Sequence, residues 1–233
     1  MRIDRKADQL RPHTVKLNSN CHAAGSALIT LGSTVVLCTA TVEDRVPPFL
    51  IDSGKGWLTA EYAMLPTATN RRTIRERRGA SGRTMEIQRL IGRSLRSVVD
   101  LKLLSKRTII IDCDVLQADG GTRCAAITGG YIALREAVNS LLDQNRISED
   151  PIKGKVAAVS VGLLGGEVLL DLDYNEDSKA EVDMNIVMTD ADKFVEIQGT
   201  AESEPFDNSN LEAMLKLAKS GIRSLYKIQG EEG

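Results

Sequence analysis

Hydrophobic and polar residues follow two different periods along this chain, and both occur at its centre. Residues 108–116 are β-branched and apolar, which predicts a strand buried on both faces. From about residue 123 to residue 142, apolar side chains recur every three or four positions, which predicts a helix with one buried face. Asp119-Gly120-Gly121 separates the two segments and predicts a sharp turn. We therefore expect a strand, a glycine turn and a helix start within a few residues.

Further strands are predicted on both sides of this junction. Two-residue glycine connections are typical of hairpins. Gly32-Ser33 and Gly165-Gly166 are such connections, each between two β-rich segments. The predicted strands cover residues 26–31, 34–43, 153–164, 167–172, 182–189 and 193–198, and residues 57–65 form a short segment that Pro66 ends.

Two further helices are expected. The first begins near Thr84, a plausible N-cap, and Glu86 lies in its first turn, where the helix dipole favours an acid. The last helix begins at Ser209, which we expect to form a capping box with Glu212. Both helices have a stripe of apolar residues that must pack on a core.

The order of these elements favours a single compact α+β unit spanning residues 1–233. A hairpin, a loop, a further strand and a helix occur in the first half and again in the second, without a residue-level repeat. No linker separates the halves. We expect two sheet-and-helix halves side by side, with mixed sheets packed against helices.

Composition narrows the possible functions. The chain has 233 residues and a formal net charge of -2, so any nucleic-acid binding must come from a local patch. The four cysteines, which are Cys21, Cys38, Cys113 and Cys124, lack the spacing of a zinc site and favour a reducing cytoplasm. Residues 2–8 carry five charged side chains, so we expect no secretory signal. No apolar run approaches transmembrane length, so we expect no membrane partner.

Arginines are concentrated in two places. Residues 67–82 contain almost no apolar side chain, which indicates a solvated basic loop. The predicted helix that follows carries Arg89, Arg93 and Arg96 on one face, where ordinary solvation or pairing with acids is as good an explanation as ligand binding. The arginines of the loop and its end are Arg71, Arg72, Arg75, Arg77, Arg78 and Arg83.

The glycine turn is a candidate phosphate site. A helix N-terminus presents free N–H groups, and adjacent glycines allow an anion to approach without a Cβ in the way. Gly121, Thr122 and Arg123 follow this pattern, and Arg123 adds a fork of donors. A plain turn before a helix remains the alternative.

Acidic residues crowd residues 170–185. Asp183 opens a predicted strand in which Met184, Ile186 and Met188 face one side and Asp183 faces the other. Carboxylates beside a phosphate site can hold Mg²⁺ or act as a general acid. An exposed acidic turn is the other explanation of this segment.

Five strings, in order, resemble the ribonuclease PH family of phosphate-dependent exoribonucleases. They are G-K-G-W-L-T-A-E-Y-A-M-L-P at residues 54–66, G-R-T-M-E-I-Q-R-L-I-G-R at 82–93, D-C-D-V-L-Q-A-D-G-G-T-R at 112–123, D-L-D-Y-N-E-D-S at 171–178 and E-I-Q-G-T-A-E at 196–202. The resemblance runs from Leu10 to the last helix. It implies a fold of two β-α-β-type halves, shortening of tRNA precursors at the 3′ end with release of nucleoside diphosphates, and a hexameric ring of three dimers.

The resemblance also implies roles for individual residues. Inorganic phosphate, the co-substrate, would bind Arg83, Gly121, Thr122 and Arg123. Asp177 and Asp183 match the family's catalytic acids, either as Mg²⁺ ligands or with Asp183 as a general acid. The arginines that would contact tRNA are Arg71, Arg72 and Arg75. Two other classes remain open: a non-catalytic RNA-binding ring subunit of an exosome-like complex, and a nuclease that uses water.

Overall fold

The first of two β-sheets contains the N-terminal strands of the chain. The structure is a computed structural model that describes residue 2, residues 5–77 and residues 79–229. Five strands form this sheet in the order β1-β2-β3-β5-β4, and only β4 and β5 are parallel neighbours. Helix α1 (Gly82–Arg96) connects these two. The strands are β1 (His13–Leu17), β2 (Gly25–Leu31), β3 (Thr34–Glu43), β4 (Trp57–Met64) and β5 (Thr108–Gln117).

The second sheet is antiparallel throughout and has the order β7-β6-β8-β9. Helix α2 (Thr122–Asp143) precedes it, α3 (Tyr174–Asp177) lies between β7 and β8, and α4 (Asn208–Ile228) follows it. The strands are β6 (Val156–Leu164), β7 (Glu167–Leu170), β8 (Val182–Thr189) and β9 (Phe194–Ala201). The predicted α+β class is confirmed, although only the first of the two sheets is mixed.

Helix α2 packs between the two sheets. It contacts β2, β3 and β5 on one side and β6 on the other, and 14 of its 22 residues are buried. The approach to the first sheet is close: a Cβ added to Gly129 would lie 2.7 Å from Ile29 Cγ2. The buried apolar cluster around α2 includes residues of both sheets. Because α2 starts at the glycine turn, this packing fixes the position of that turn relative to both sheets.

Both predicted N-caps were placed wrongly. The α1 helix begins at Gly82, and the N-cap is Ser81, whose hydroxyl accepts a hydrogen bond from the Thr84 N–H at 3.2 Å. The N-cap of α4 is Asp207, which accepts from the Asn210 N–H at 2.8 Å. In each case another good capping residue lies slightly earlier in the chain, and its side chain accepts a hydrogen bond from an unpaired N–H of the first helical turn.

Two elements were not predicted. Strand β1 is an edge strand with no fully buried residue, so its apolar signal is weak. Helix α3 is a single turn whose residues are mostly polar, and Asp173 and Glu176 form its capping box. In the described part of the chain, no helix is both long and apolar enough to cross a membrane.

Candidate active site

The predicted glycine turn forms the floor of a cavity. Gly120 and Gly121 have φ angles of +73° and +65°, a left-handed conformation that side chains with a Cβ rarely adopt. Gly121 is the N-cap of α2, and Thr122 is its first residue. The first N–H groups of a helix have no intrahelical partner and carry partial positive charge. The turn is therefore suited to an anion.

Phosphate-site and acidic candidates line the same cavity, whose volume is about 330 Å³. Arg83 and the residues of the turn line it together with acids from the second sheet and α3. The predicted residues among its lining are Arg83, Gly121, Thr122, Arg123, Asp177 and Asp183. The structure thus brings together two sets that lie more than fifty residues apart in the sequence.

Arg123 is held in place by residues from both halves of the fold. Its Nη1 donates to Gln198 Oε1 at 2.9 Å and lies 3.5 Å from a carboxylate oxygen of Glu86. Gln198 Nε2 in turn donates to Glu86 Oε1 at 3.0 Å. Gln198 belongs to the string at residues 196–202, but its contact with Arg123 spans 75 positions and could not be inferred from local spacing.

Thr122 also has a partner that was not predicted. The hydroxyl of Tyr62, which is 4% exposed, donates to Thr122 Oγ1 at 2.9 Å. Burial raises the pKa of Tyr62, so this phenol remains protonated at neutral pH. Because the Thr122 oxygen accepts from Tyr62, its own proton is free to be donated to an anion in the cavity.

The two acids have raised pKa values. Burial, followed by the negative charge of Asp177, raises the pKa of Asp183 to about 6. Burial also raises the pKa of Asp177, although Arg83 and Arg123 act in the opposite direction. Oδ1 of Asp183 is buried and has no hydrogen-bond partner among the described residues. This oxygen is available to a proton, a cation or a substrate.

Two carboxylates fit Mg²⁺ as part of a shared site. The described residues contain no cluster of three or more His, Cys, Asp or Glu side chains that could enclose a metal. Mg²⁺ commonly takes one or two carboxylates and completes its shell with water and substrate phosphates. Asp177, Asp183 and the unpartnered Oδ1 meet this requirement.

The described arginines of the basic loop are not part of the cavity, although Thr69 of the same loop lines it. Arg71, Arg72 and Arg75 are exposed and do not line the cavity, while Arg78 lies outside the described residues. Among the arginines of α1, the pairing interpretation is confirmed for Arg93, which contacts Glu196 at 2.7 Å. Arg96 instead stacks over the Trp57 ring, 4.7 Å from its centroid.

Comparisons of sequence show which family the chain belongs to. Residues 9–138 match the model of the 3′ exoribonuclease family, domain 1, and residues 154–221 match that of domain 2. Ribonuclease PH of Moorella thermoacetica is 59% identical over 223 residues, which cover 95% of this chain and 89% of that protein. The chain belongs to the ribonuclease PH family of 3′ exoribonucleases. The family resemblance seen in the five strings is therefore confirmed.

Solved structures of lower identity share the family fold. Rice (Oryza sativa) Rrp46 has a TM-score of 0.79 at 18% identity, with 98% of this chain and 97% of that one covered. The Archaeoglobus fulgidus exosome with RNA bound to the active site has a TM-score of 0.78 at 21% identity, with coverage of 96% and 90%. An archaeal exosome core has a TM-score of 0.76 at 21% identity, with coverage of 97% and 90%.

Proposed function

We propose that this member of the ribonuclease PH family is a phosphate-dependent 3′-to-5′ exoribonuclease that trims tRNA precursors and releases nucleoside 5′-diphosphates. The observation that carries the proposal is the shared cavity, which is lined both by an anion site at the start of α2 and by two acids with raised pKa values. A nuclease that uses water does not need the anion site. A non-catalytic ring subunit does not need the acids.

Inorganic phosphate would bind at the glycine turn. The N–H groups of Gly121 and Thr122, the Thr122 hydroxyl and the guanidinium groups of Arg83 and Arg123 would surround it. Charge-assisted hydrogen bonds from two arginines lower the repulsion between this phosphate and the RNA phosphodiester. Because Gln198 and Glu86 hold Arg123 beforehand, little reorganisation is needed when phosphate binds.

The bound phosphate attacks the phosphorus of the terminal nucleotide, in line with the 3′ oxygen of the preceding one. A bond forms between the phosphate oxygen and phosphorus as the bond to the 3′ oxygen breaks. The proton of HPO₄²⁻ ends on the departing 3′ hydroxyl, so atoms and charge balance without another reactant. Since both bonds join oxygen to phosphorus, the reaction can run in reverse when nucleoside diphosphate is in excess.

The acids would act at the leaving oxygen. With a pKa of about 6, Asp183 can hold and pass on a proton near neutral pH. Asp177 lies beside it, and its negative charge helps to keep the pKa of Asp183 raised. In the alternative role, Asp177 and Asp183 would be ionised and would hold Mg²⁺, which when bound supplies positive charge to the developing negative charge on the phosphoryl oxygens.

The basic loop would bind the body of the RNA. Arg71, Arg72 and Arg75 are exposed, lie outside the cavity and are free to contact phosphates of a substrate whose 3′ end has entered it. Phosphate contacts position a nucleic acid without reading its bases. The substrate would therefore be selected by its shape.

The assembly we propose is a homo-oligomeric ring, a trimer of dimers. Its support in this chain is exposed apolar surface, which monomeric proteins usually keep small. Phe49 is 69% exposed and Ile51 is 57% exposed in the loop before β4, and Phe194 and Ile197 are exposed on the edge strand β9. Residues 1–233 would act as one catalytic unit, because the cavity takes residues from both sheet-and-helix halves.

The decisive experiment uses a tRNA precursor with a short 3′ extension, incubated with and without inorganic phosphate. Release of nucleoside diphosphates that requires phosphate supports the proposal. Release of monophosphates in phosphate-free buffer would show hydrolysis, and RNA binding without any product would show a non-catalytic subunit. Light scattering on the same sample should give a mass six times that of one chain.

A further inference from the structure

The backbone of the glycine turn is held from behind by two buried side chains, Arg11 and Thr34, which we call the peptide clamp. Arg11 is 4% exposed, and Thr34 is fully buried. Arg11 Nη1 donates to the carbonyl of Asp119, and its Nη2 lies 3.4 Å from the carbonyl oxygen of Gly120. The Thr34 hydroxyl donates to the same Gly120 carbonyl at 2.7 Å.

The clamp fixes which way two peptide planes face. In a trans peptide the C=O and the N–H of one plane point in opposite directions. The Asp119 carbonyl points toward Arg11, so the Gly120 N–H in that plane points away from it. The Gly120 carbonyl points toward Arg11 and Thr34, so the Gly121 N–H points away from both. Glycines tolerate rotation of these planes easily, so an outside constraint is needed to keep one orientation.

Arg11 is itself anchored by a buried carboxylate. Asp171, which is 3% exposed, accepts from Arg11 Nη2 at 2.7 Å, from Nε at 3.1 Å and from the backbone N–H of Arg11 at 2.8 Å. This pairing uses one edge of the guanidinium and leaves the remaining donors for the turn. A lysine has no such fork, so it cannot hold the carboxylate and both carbonyls at once.

The residues around the acids of the cavity are hydrogen-bonded to the same part of the chain, at Asp171 and the glycine turn. Arg5 Nη2 donates to the Asp171 carbonyl at 2.7 Å and to Glu176 Oε2 at 2.9 Å. Glu176 immediately precedes Asp177 in α3. The backbone N–H of Tyr174, the first residue of α3, lies 3.3 Å from Asp119 Oδ1. One polar network, buried except at its contact with Tyr174, thus connects the turn to the helix that carries an acid.

From this geometry we infer that Arg11 and Thr34 are positioning residues that aim the N–H groups of the glycine turn at the phosphate. The inference rests on the proposed function, because it assigns phosphate to this turn. Neither side chain lines the cavity, so neither contacts phosphate directly. Their effect should therefore appear in the use of phosphate and be absent from the binding of RNA.

Two variants remove the clamp in different ways. Thr34→Val keeps the shape of the side chain but loses the hydroxyl, and Arg11→Lys keeps the charge but loses the fork. The matched controls are Thr30→Val, on the neighbouring strand β2, and Arg135→Lys, further along α2 in an ion pair with Asp150. Thr34→Ser retains the hydroxyl and serves as the rescue.

The measurements are KM for phosphate, kcat, RNA affinity without phosphate, and the increase in melting temperature that phosphate causes. We expect Thr34→Val and Arg11→Lys to raise KM for phosphate about tenfold, as for one or two misdirected hydrogen bonds. Phosphate should also protect these variants less against melting, while RNA affinity stays unchanged. Thr34→Ser should restore most of the phosphate affinity, and both control variants should behave like the parent.

An unchanged KM for phosphate in folded, assembled Thr34→Val would overturn the inference. So would equal losses of phosphate and RNA affinity, which would indicate general damage. If Arg11→Lys does not fold, Thr34→Val alone decides. If the parent enzyme releases no diphosphate, the proposed function is contradicted. The clamp can still be tested in that case by comparing how much phosphate raises the melting temperature of the parent and of Thr34→Val.

Discussion

Replacing Asp183 by asparagine should stabilise the protein while it abolishes activity. The pKa of Asp183 is raised from its ordinary value of 3.8 to about 6, chiefly by burial. The folded state therefore binds the proton more tightly than the unfolded state does, and stability falls as pH rises from about 4 through about 6. Above that range the folded protein holds an ionised carboxylate that would be more stable in water.

The magnitude follows from the size of the shift. A difference of about 2 pKa units corresponds to roughly 3 kcal/mol at most. Asp183 is partly accessible to solvent, and its charge is attracted by Arg123, so the gain from removing the charge should be smaller. We expect Asp183→Asn to raise the free energy of unfolding by about 1 to 2 kcal/mol at pH 7.5 and by little near pH 4.5.

Urea unfolding at several pH values, without phosphate or divalent cations, measures this difference. Asp192→Asn is the control, because its exposed pair with Arg223 lowers the pKa of Asp192 and the charge is favourable there. That variant should gain nothing at pH 7.5. If Asp183→Asn were no more stable than the parent at pH 7.5, or if its gain did not depend on pH, the ionised Asp183 carboxylate would not destabilise the folded protein as we describe.

Three further variants test other parts of the site. Arg123→Ala should raise the phosphate requirement and slow turnover about tenfold to a hundredfold, the value of one charge-assisted contact, as measured by kinetics at varied phosphate. Gly120→Ala should lose phosphate affinity and cost about 1 to 2 kcal/mol in urea unfolding, because its φ is +73° and its Cβ would lie 2.6 Å from a backbone carbonyl. Replacing Arg71, Arg72 and Arg75 together by alanine should weaken the salt dependence of tRNA binding in assembled protein. The slope of log affinity against log salt should flatten by about 0.7 to 0.9 for each RNA phosphate that the loop no longer binds. An unchanged slope would contradict RNA binding by the loop.

The junction of β5 and α2 could be predicted because its signals are local, but two details were wrong: Asp112 and Asp114 leave one face of β5 partly exposed, and α2 is buried against both sheets. A β-branched run, two glycines and a helical period follow one another directly, so no distant residue is needed to recognise them. Asp183 and Met184 face opposite sides of β8. This could also be predicted from local alternation, and the burial pattern of the strand confirms it.

The support around the site could not be predicted because it depends on distant contacts. Asp171 looked like one member of an exposed acidic run, but it is buried against Arg11, 160 positions earlier. Gln198 and Glu86 meet at Arg123 from opposite halves of the fold. Short acidic segments such as α3 have no repeating pattern of apolar residues from which a helix could be predicted. Their structure depends on contacts with distant parts of the chain.

The most direct test of the account is the fate of the phosphate itself. The parent enzyme is incubated with radiolabelled inorganic phosphate and an unlabelled RNA with a free 3′ end, and the released nucleotides are separated. Attack by phosphate bound at the glycine turn predicts label in the β-phosphate of nucleoside 5′-diphosphates, with one phosphate incorporated for each nucleotide released. Unlabelled nucleoside monophosphates, released at the same rate whether or not phosphate is present, would contradict the account.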